Sequence, residues 1–396
     1  MSVNLSRLSP KQLLELDACT RCGECLNRCP VYAIRGNEGI NPRGKIQAMK
    51  KFIRGQYGLR AKIFGPQKLD EENLKQFSDM VYRCTLCGEC GLSCPVSIDS
   101  RTLWISLREV LIDLGCYPQG MDVLKKSVLL NHNISGMDNE GRHEWLDALS
   151  DLPEHKYQKE KAEVVFFVGC VASYFPMVHK IPQTLVKILN QAKVDFVLLG
   201  GAEWCCGFPL ISAGLKKEVQ VLIQHNIETV KDKGARSVVF ACPSCYHAWH
   251  KEYKTDLQLF HFTQFILELI QEGKIQFKEE KIKVTYHDPC DLGRGSGIYQ
   301  TPREILRTMP GVELVEMADY GEHCKCCGGG GLLEMIDPEL QTALAKEKIK
   351  QIQATGADLV VTVCQQCIRT IQSTARRMKI PVKALYITEL ILKHMK

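Results

Sequence analysis

The sequence has no long hydrophobic run; its apolar stretches, such as Val164 to Val168 and Phe265 to Ile270, fall far short of a bilayer span. Met1 to Gln12 holds no apolar core of signal-peptide length, so the expectation is a cytoplasmic chain without a membrane span. No flavin or nucleotide fingerprint is found. The glycine run Gly328 to Gly331 lacks the Lys-Ser/Thr of a phosphate loop, and close backbone approach to a cofactor explains it better. Charge of one sign is also scarce, with 51 basic against 45 acidic residues and a formal excess of +6 that counts every cysteine as neutral. An excess this small, with the cysteines uncounted, does not make nucleic acid an expected partner.

What is abundant is cysteine, 20 of 396 residues, in a chain much larger than a disulfide-stapled secreted module. An apolar share of 45% and a charged share of 24% are those of a globular protein, and the length calls for more than one core. In a reducing compartment, so many thiols point to metal.

Residues 19–30 and 84–95 both follow C-x2-C-x2-C-x3-C-P, the run that gives three thiolates to one cubane and the fourth to its neighbour. By that crossed rule, Cys19, Cys22, Cys25 and Cys94 hold one [4Fe–4S] cluster, and Cys84, Cys87, Cys90 and Cys29 hold the other. Zinc is the alternative, but it gains nothing from a fourth cysteine followed by proline. Helical patterns over 42–54, 70–81 and 100–114 predict a mostly helical ferredoxin domain.

From about residue 160 short apolar strands alternate with helical stretches, which predicts parallel βαβ units. The sequence also repeats at an offset of about 120 residues: Cys170 matches Cys290, Cys205-Cys206-Gly207 matches Cys326-Cys327-Gly328, and Cys242-x2-Cys245 matches Cys364-x2-Cys367. The helix before the last motif is signposted by Asp337 at its N-cap, Pro338 in its first turn and Gly356 past its end. Leu340, Leu344, Ile349 and Ile352 on one face predict packing against a sheet. The cysteines fall at the carboxyl ends of the predicted strands, where open α/β sheets place their sites, and two such domains face to face would share a cleft. Five cysteines per repeat are one more than a cubane uses. A vicinal pair suits two irons of a larger or opened cluster better than one tetrahedral ion.

This pattern, twice, resembles the CCG domains of heterodisulfide reductase, and the whole chain resembles the fused form of that enzyme's catalytic part. The resemblance implies an α+β multi-domain protein: a helical two-cluster ferredoxin domain followed by two duplicated α/β CCG (cysteine-rich) domains. The expected division is 1–136, a charged linker at 137–161, then 162–281 and 282–396. It implies two non-cubane [4Fe–4S] clusters, held by Cys170, Cys205, Cys206, Cys242 and Cys245 and by Cys290, Cys326, Cys327, Cys364 and Cys367. The implied chemistry is homolytic, two one-electron deliveries cleaving one disulfide, with the cubanes as the input wire. Related subunits of glycolate oxidase, anaerobic glycerol-3-phosphate dehydrogenase and benzoyl-CoA reductase often have one CCG motif eroded; here both are intact. An anaerobic oxidoreductase active inside a complex is expected, with a flavoprotein or other redox subunits as partners, a thiol or disulfide as substrate, and peripheral membrane association through a partner. The rival reading is an electron-transfer subunit without its own substrate.

His287, three residues before Cys290, and His247, two after Cys245, are candidate proton donors to a leaving thiolate, with a passive role in the core as the alternative. Asp288 is expected to orient His287 or cap a turn. Cys324 reads as a spare buried thiol or alternative ligand, Cys116 as core and Arg369 as a solvated charge. Arg21, Arg28, Lys45, Lys50 and Lys51 predict a basic docking face near the cubanes.

Overall fold

Side-chain caps start the first helices where the sequence predicts them. Asn41 accepts from Gly44 N (2.7 Å) to open Pro42–Tyr57, Asp70 accepts from Asn73 N (2.9 Å) to open Glu71–Tyr82, and Asp99 accepts from Thr102 N (3.3 Å) to open Ser100–Asp113. The computed structural model describes residues 3–149, 157 and 159–396; positions 150–156 and 158 of the expected linker lie outside the described residues. Two compact units result, one of the chain up to Lys125 with Pro209–Lys217 and Lys325–Ala345, the other of Lys126–Phe208, Glu218–Cys324 and Lys346–Lys396.

The first unit is helical. Its tie is Arg108, fully buried, which donates to the carbonyls of Ser212 (2.6 Å), Gly331 (3.1 Å), Val81 (3.3 Å), Tyr82 (3.1 Å) and Cys84 (3.0 Å). One side chain thus satisfies carbonyls from separate stretches of sequence that make no common ladder. The glycine run serves the same packing. A Cβ on Gly331 (φ +65°) would sit 2.0 Å from Cys84 O, and one on Gly330 2.6 Å from Thr85 O. Close approach does explain this run, but the neighbour is the backbone of the second cysteine motif. Asp337 caps the helix Pro338–Gln353 through Leu340 N (2.9 Å) and also accepts from Arg83 and Arg35, both at 3.1 Å. Leu340 and Leu344 depart from expectation: they pack with Val31 and Leu333 in a helical core, not on a sheet.

The second unit holds two parallel four-stranded sheets. Strands β1 (Val164–Phe167), β2 (Phe196–Leu198), β3 (Ser237–Phe240) and β4 (Gln258–His261) lie in the order 2-1-3-4. Strands β5 (Ile282–His287), β6 (Val312–Leu314), β7 (Leu359–Thr362) and β8 (Ala384–Tyr386) repeat it as 6-5-7-8. β1, β3 and β7 are buried throughout, which is why they read as unbroken apolar runs. The repeats contact each other reciprocally: helix Lys180–Gln191 of the first packs on Ile387–His394 of the second, and Phe262–Gln271 of the first on Gln300–Thr308 of the second. In each order the chain reverses direction across the sheet beside the first strand, between β1 and β3 and between β5 and β7. In open α/β sheets such a reversal marks the strand carboxyl ends where sites are built. No helix among the described residues is long and apolar enough to cross a membrane.

Candidate metal centres

Both ferredoxin runs make the same turn. Gly23 (φ +91°) and Gly88 (φ +79°) are left-handed, and so are Arg21 (φ +63°) and Leu86 (φ +55°), residues that adopt this conformation only under constraint. The turn brings Cys19, Cys22 and Cys25 together with Cys94: burial first, then those three sulfurs, raise the Cys25 thiol above its usual range. A pocket is lined by these four cysteines and by Cys90 of the second run, with Pro42, Ile46 and Trp104. Cys29 goes to the other set. Burial pushes its thiol up to about 11 against the pull of Lys45, with Cys84 and Cys87 as its sulfur neighbours. Cys90 is raised by burial, then by Cys84, Cys87 and, more weakly, Cys29, while Ser100 Oγ lies 3.0 Å from its Sγ. Thiols that resist ionising when free give up protons when a cation binds.

Lys45 corrects the expected docking face. It is 1% exposed, with Nζ 5.1 Å from the Trp104 ring centroid, and near enough to Cys29 to pull its thiol down. Lys50 is held on Asp17 O (3.2 Å), and Lys51 is exposed.

In the first repeat Cys170 follows β1, Cys205 and Cys206 follow β2, and Cys242 and Cys245 follow β3, all buried. Their sulfurs are neighbours in the order Cys170–Cys205–Cys206–Cys245–Cys242, each shifting the thiol of the next. Cys206 is held down to about 6 by hydrogen bonds from Cys205 and then Cys245. Backbone space is reserved for the sulfurs: a Cβ on Gly169 (φ +83°) would come 3.1 Å from Cys245 Sγ. The CCG glycine is equally constrained in both motifs. Gly207 (φ +83°) has Val219 Cγ1 2.2 Å from where a Cβ would sit, and Gly328 (φ +89°) has Gln341 O at 2.8 Å. Five buried sulfurs without oxygen or nitrogen ligands are a donor set that fits iron–sulfur chemistry.

Sequence reasoning missed the groups around these sulfurs. Glu203 accepts from Val168 N and Gly169 N, both at 2.8 Å, and pairs with Arg142 at 2.8 Å, each side chain being 2% exposed. Arg142 Nη2 also donates to Cys170 Sγ at 3.4 Å. Burial opposes the Arg142 charge, but Cys170 and Glu203 outweigh it and strengthen its hold on the proton. Arg142 lies in the 3-10 run Asn139–Leu146, inside the stretch expected to be a linker, where no motif announces it.

In the second repeat Cys290 follows β5, and Cys364 and Cys367 follow β7, Cys364 Sγ accepting from Cys367 N at 3.3 Å. Cys326 Sγ accepts from Gly328 N at 3.3 Å within the first unit's segment. Cys290 Sγ lies 3.7 Å from Asp291 Oδ1. His287 Nδ1 lies 3.5 Å from Cys324 Sγ, and Lys348 Nζ reaches the same sulfur at 3.6 Å. Burial alone would raise the Cys324 thiol; Lys348 and then His287 hold it below its usual range. Asp288 does not orient His287: it is the bidentate partner of buried Arg303 (2.6 and 2.8 Å), and it caps the turn at Gly321 N (2.8 Å). His247 is half-buried with Nδ1 3.2 Å from Ser296 Oγ. Arg369 lies over Phe175 (4.5 Å) and is half-buried, and Cys116 is half-buried rather than core.

Each CxxC loop reaches into the other repeat. Gln365, between Cys364 and Cys367, donates to Val168 O (2.8 Å) and accepts from Ala172 N (3.2 Å), on either side of Cys170. Ser244, between Cys242 and Cys245, donates to Asp291 (2.5 Å), next to Cys290. Tyr386 Oη donates to Ala241 O and to Val363 O, the residues preceding Cys242 and Cys364.

Fold and cysteine sets define an iron–sulfur oxidoreductase with a dicluster ferredoxin part and a duplicated cysteine-rich part. Residues 15–98 match the 4Fe-4S dicluster domain family, and 164–249 and 284–372 match the cysteine-rich CCG domain family. The chain is 36% identical to a dihydromethanophenazine:CoB–CoM heterodisulfide reductase subunit of Methanosarcina barkeri, over 98% of this chain and 96% of that one. It belongs to the family of this heterodisulfide reductase subunit. It is also 29% identical to an EtfAB:quinone oxidoreductase of Syntrophomonas wolfei, over 93% of this chain and 56% of the relative. A hypothetical protein from Helicobacter pylori shares the fold, with a TM-score of 0.62 at 9% identity, covering 98% of this chain and 73% of that one.

Proposed function

We infer that this chain passes electrons singly through two cubane [4Fe–4S] clusters to two non-cubane [4Fe–4S] clusters, where a disulfide is reduced to two thiols with two electrons and two protons. The cubane ligands are Cys19, Cys22, Cys25 and Cys94, and Cys84, Cys87, Cys90 and Cys29. The non-cubane ligands are Cys170, Cys205, Cys206, Cys242 and Cys245, and Cys290, Cys326, Cys327, Cys364 and Cys367. When bound, the clusters supply one-electron chemistry at iron facing sulfur ligands. The observation that carries the reading is the reciprocal reach of Gln365 and Ser244, which ties each CxxC loop to the first cysteine loop of the other repeat.

The chain's own residues then have definite tasks. Glu203 fixes the backbone that presents Cys170, and Arg142 fixes Glu203. His287, backed by Cys324 and Lys348, holds a proton for one departing thiolate, and we assign the other to His247, two residues past Cys245 and bonded to Ser296. The electrons come from a flavoprotein or other redox subunit of the same complex, docked near the first cubane.

Anaerobically purified protein should carry roughly sixteen iron atoms, four for each cluster. Protein reduced with a one-electron donor should convert one disulfide to two thiols in a single turnover. Iron near eight, or full iron with no disulfide cleavage by the reduced protein in its complex, would favour a relay without a substrate.

A further inference from the structure

The first unit carries an apolar corner that the redox chemistry does not use. Helix Leu59–Phe64 exposes Leu59 (76%), Ile63 (65%) and Phe64 (79%), while Ala61 is buried on the opposite side. The corner is ordered: Gly58 N donates to Arg54 O (3.0 Å) at its entry, and Gln67 N returns to Gly55 O (3.0 Å) at its exit. The charge along this stretch of chain is of one sign. Between Gly39 and Leu69 the chain has eight basic residues and no acidic one, and Lys51, Arg54, Arg60, Lys62 and Lys68 are exposed. Acidic residues resume at Asp70 to Glu72, where they cap the next helix.

We propose that this corner inserts into an anionic lipid surface, Leu59, Ile63 and Phe64 entering the headgroup boundary while Arg60, Lys62 and their neighbours meet the lipid phosphates. Large apolar side chains on a basic stretch of chain are the combination that binds such an interface. Position separates this from redox docking. Pro42, Arg43 and Ile46, at the start of helix Pro42–Tyr57, line the cubane pocket, and the corner follows the other end of that helix. Sixteen residues at 1.5 Å each put it about 24 Å away. Tunnelling falls steeply with distance, so an electron donor seated there would be badly placed, whereas a bilayer needs no approach to a cluster.

Flotation of the iron-loaded full chain with vesicles of phosphatidylcholine, alone or with one-quarter phosphatidylglycerol, tests this. Binding to the anionic vesicles only, weakening as salt rises, is expected. Arg60→Gln with Lys62→Gln should lower partitioning about 30-fold. Ile63→Asp with Phe64→Asp should abolish it, with iron content and circular dichroism unchanged. A Phe64→Trp reporter should shift its emission to the blue on anionic vesicles. Absence of binding, or binding that survives Ile63→Asp with Phe64→Asp, would overturn the proposal. So would loss of affinity for an acidic protein donor in that variant without any vesicle binding, since the corner would then be a protein interface.

Discussion

Arg142 Nη2 lies 3.4 Å from Cys170 Sγ, whereas the corresponding Cys290 Sγ lies 3.7 Å from the carboxylate of Asp291. The two halves of a duplicated site therefore sit in unlike electrostatic surroundings. A donor N–H stabilises extra negative charge on sulfur, and a carboxylate opposes it. The centre at Cys170 should be the easier one to reduce. In Arg142→Leu its reduction equilibrium should fall about tenfold, 59 mV for one electron, while the centre at Cys290 keeps its potential. Arg142→Lys should recover part of the shift. An EPR-monitored redox titration measures both; equal potentials in the parent protein would refute the asymmetry.

Cys94 and Cys29 are expected to leave their own runs. Cys94→Ser should remove the cubane of Cys19, Cys22 and Cys25, and Cys29→Ser that of Cys84, Cys87 and Cys90, each costing about four iron atoms. Loss of the opposite cubane signal in either variant would refute the crossing.

Gly331 and Gly297 are both left-handed, at φ +65° and +76°, but a Cβ meets Cys84 O at 2.0 Å on the first and open space on the second. Gly297→Ala should cost about 1 kcal/mol, the backbone penalty alone. Gly331→Ala should exceed about 3 kcal/mol and also reduce iron bound at Cys84, because the motif's backbone has to move. Denaturation curves and iron content check both.

His261 is fully buried, and burial lowers its pKa to about 3. An unfolded chain binds this proton below about pH 6.5 and the folded one does not, so stability falls with pH from 6.5 towards 3. Between pH 6.5 and 5 the loss should be about 2 kcal/mol. His261→Asn should flatten that part of the profile in urea unfolding; an unchanged slope would mean other groups carry it.

The cysteine motifs, the helices at 42–57, 71–82 and 100–113 and the duplicated strand pattern were legible because each rests on local spacing or capping. Arg142 and Arg108 were not legible. Their role is to meet carbonyls or sulfur from distant stretches, and an isolated arginine carries no periodicity to announce that. Glu203 stood two residues before Cys205, and Gln365 stood inside a CxxC whose counterpart has Pro243, so a closer comparison of the repeats had a signal to find. Lys45 misled because its neighbours are basic; only packing shows that it points inward under Trp104.

The segment Lys325–Ala345, which carries Cys326 and Cys327, belongs to the helical unit: Asp337 pairs with Arg35 and Arg83, and Gly331 rests on Cys84. A gene split near residue 136 would thus divide one folding unit between two polypeptides. Each product would lack a wall that the other supplies. The CCG half alone would carry Cys326 and Cys327 on a strip deprived of Arg35, Arg83 and the Cys84 backbone.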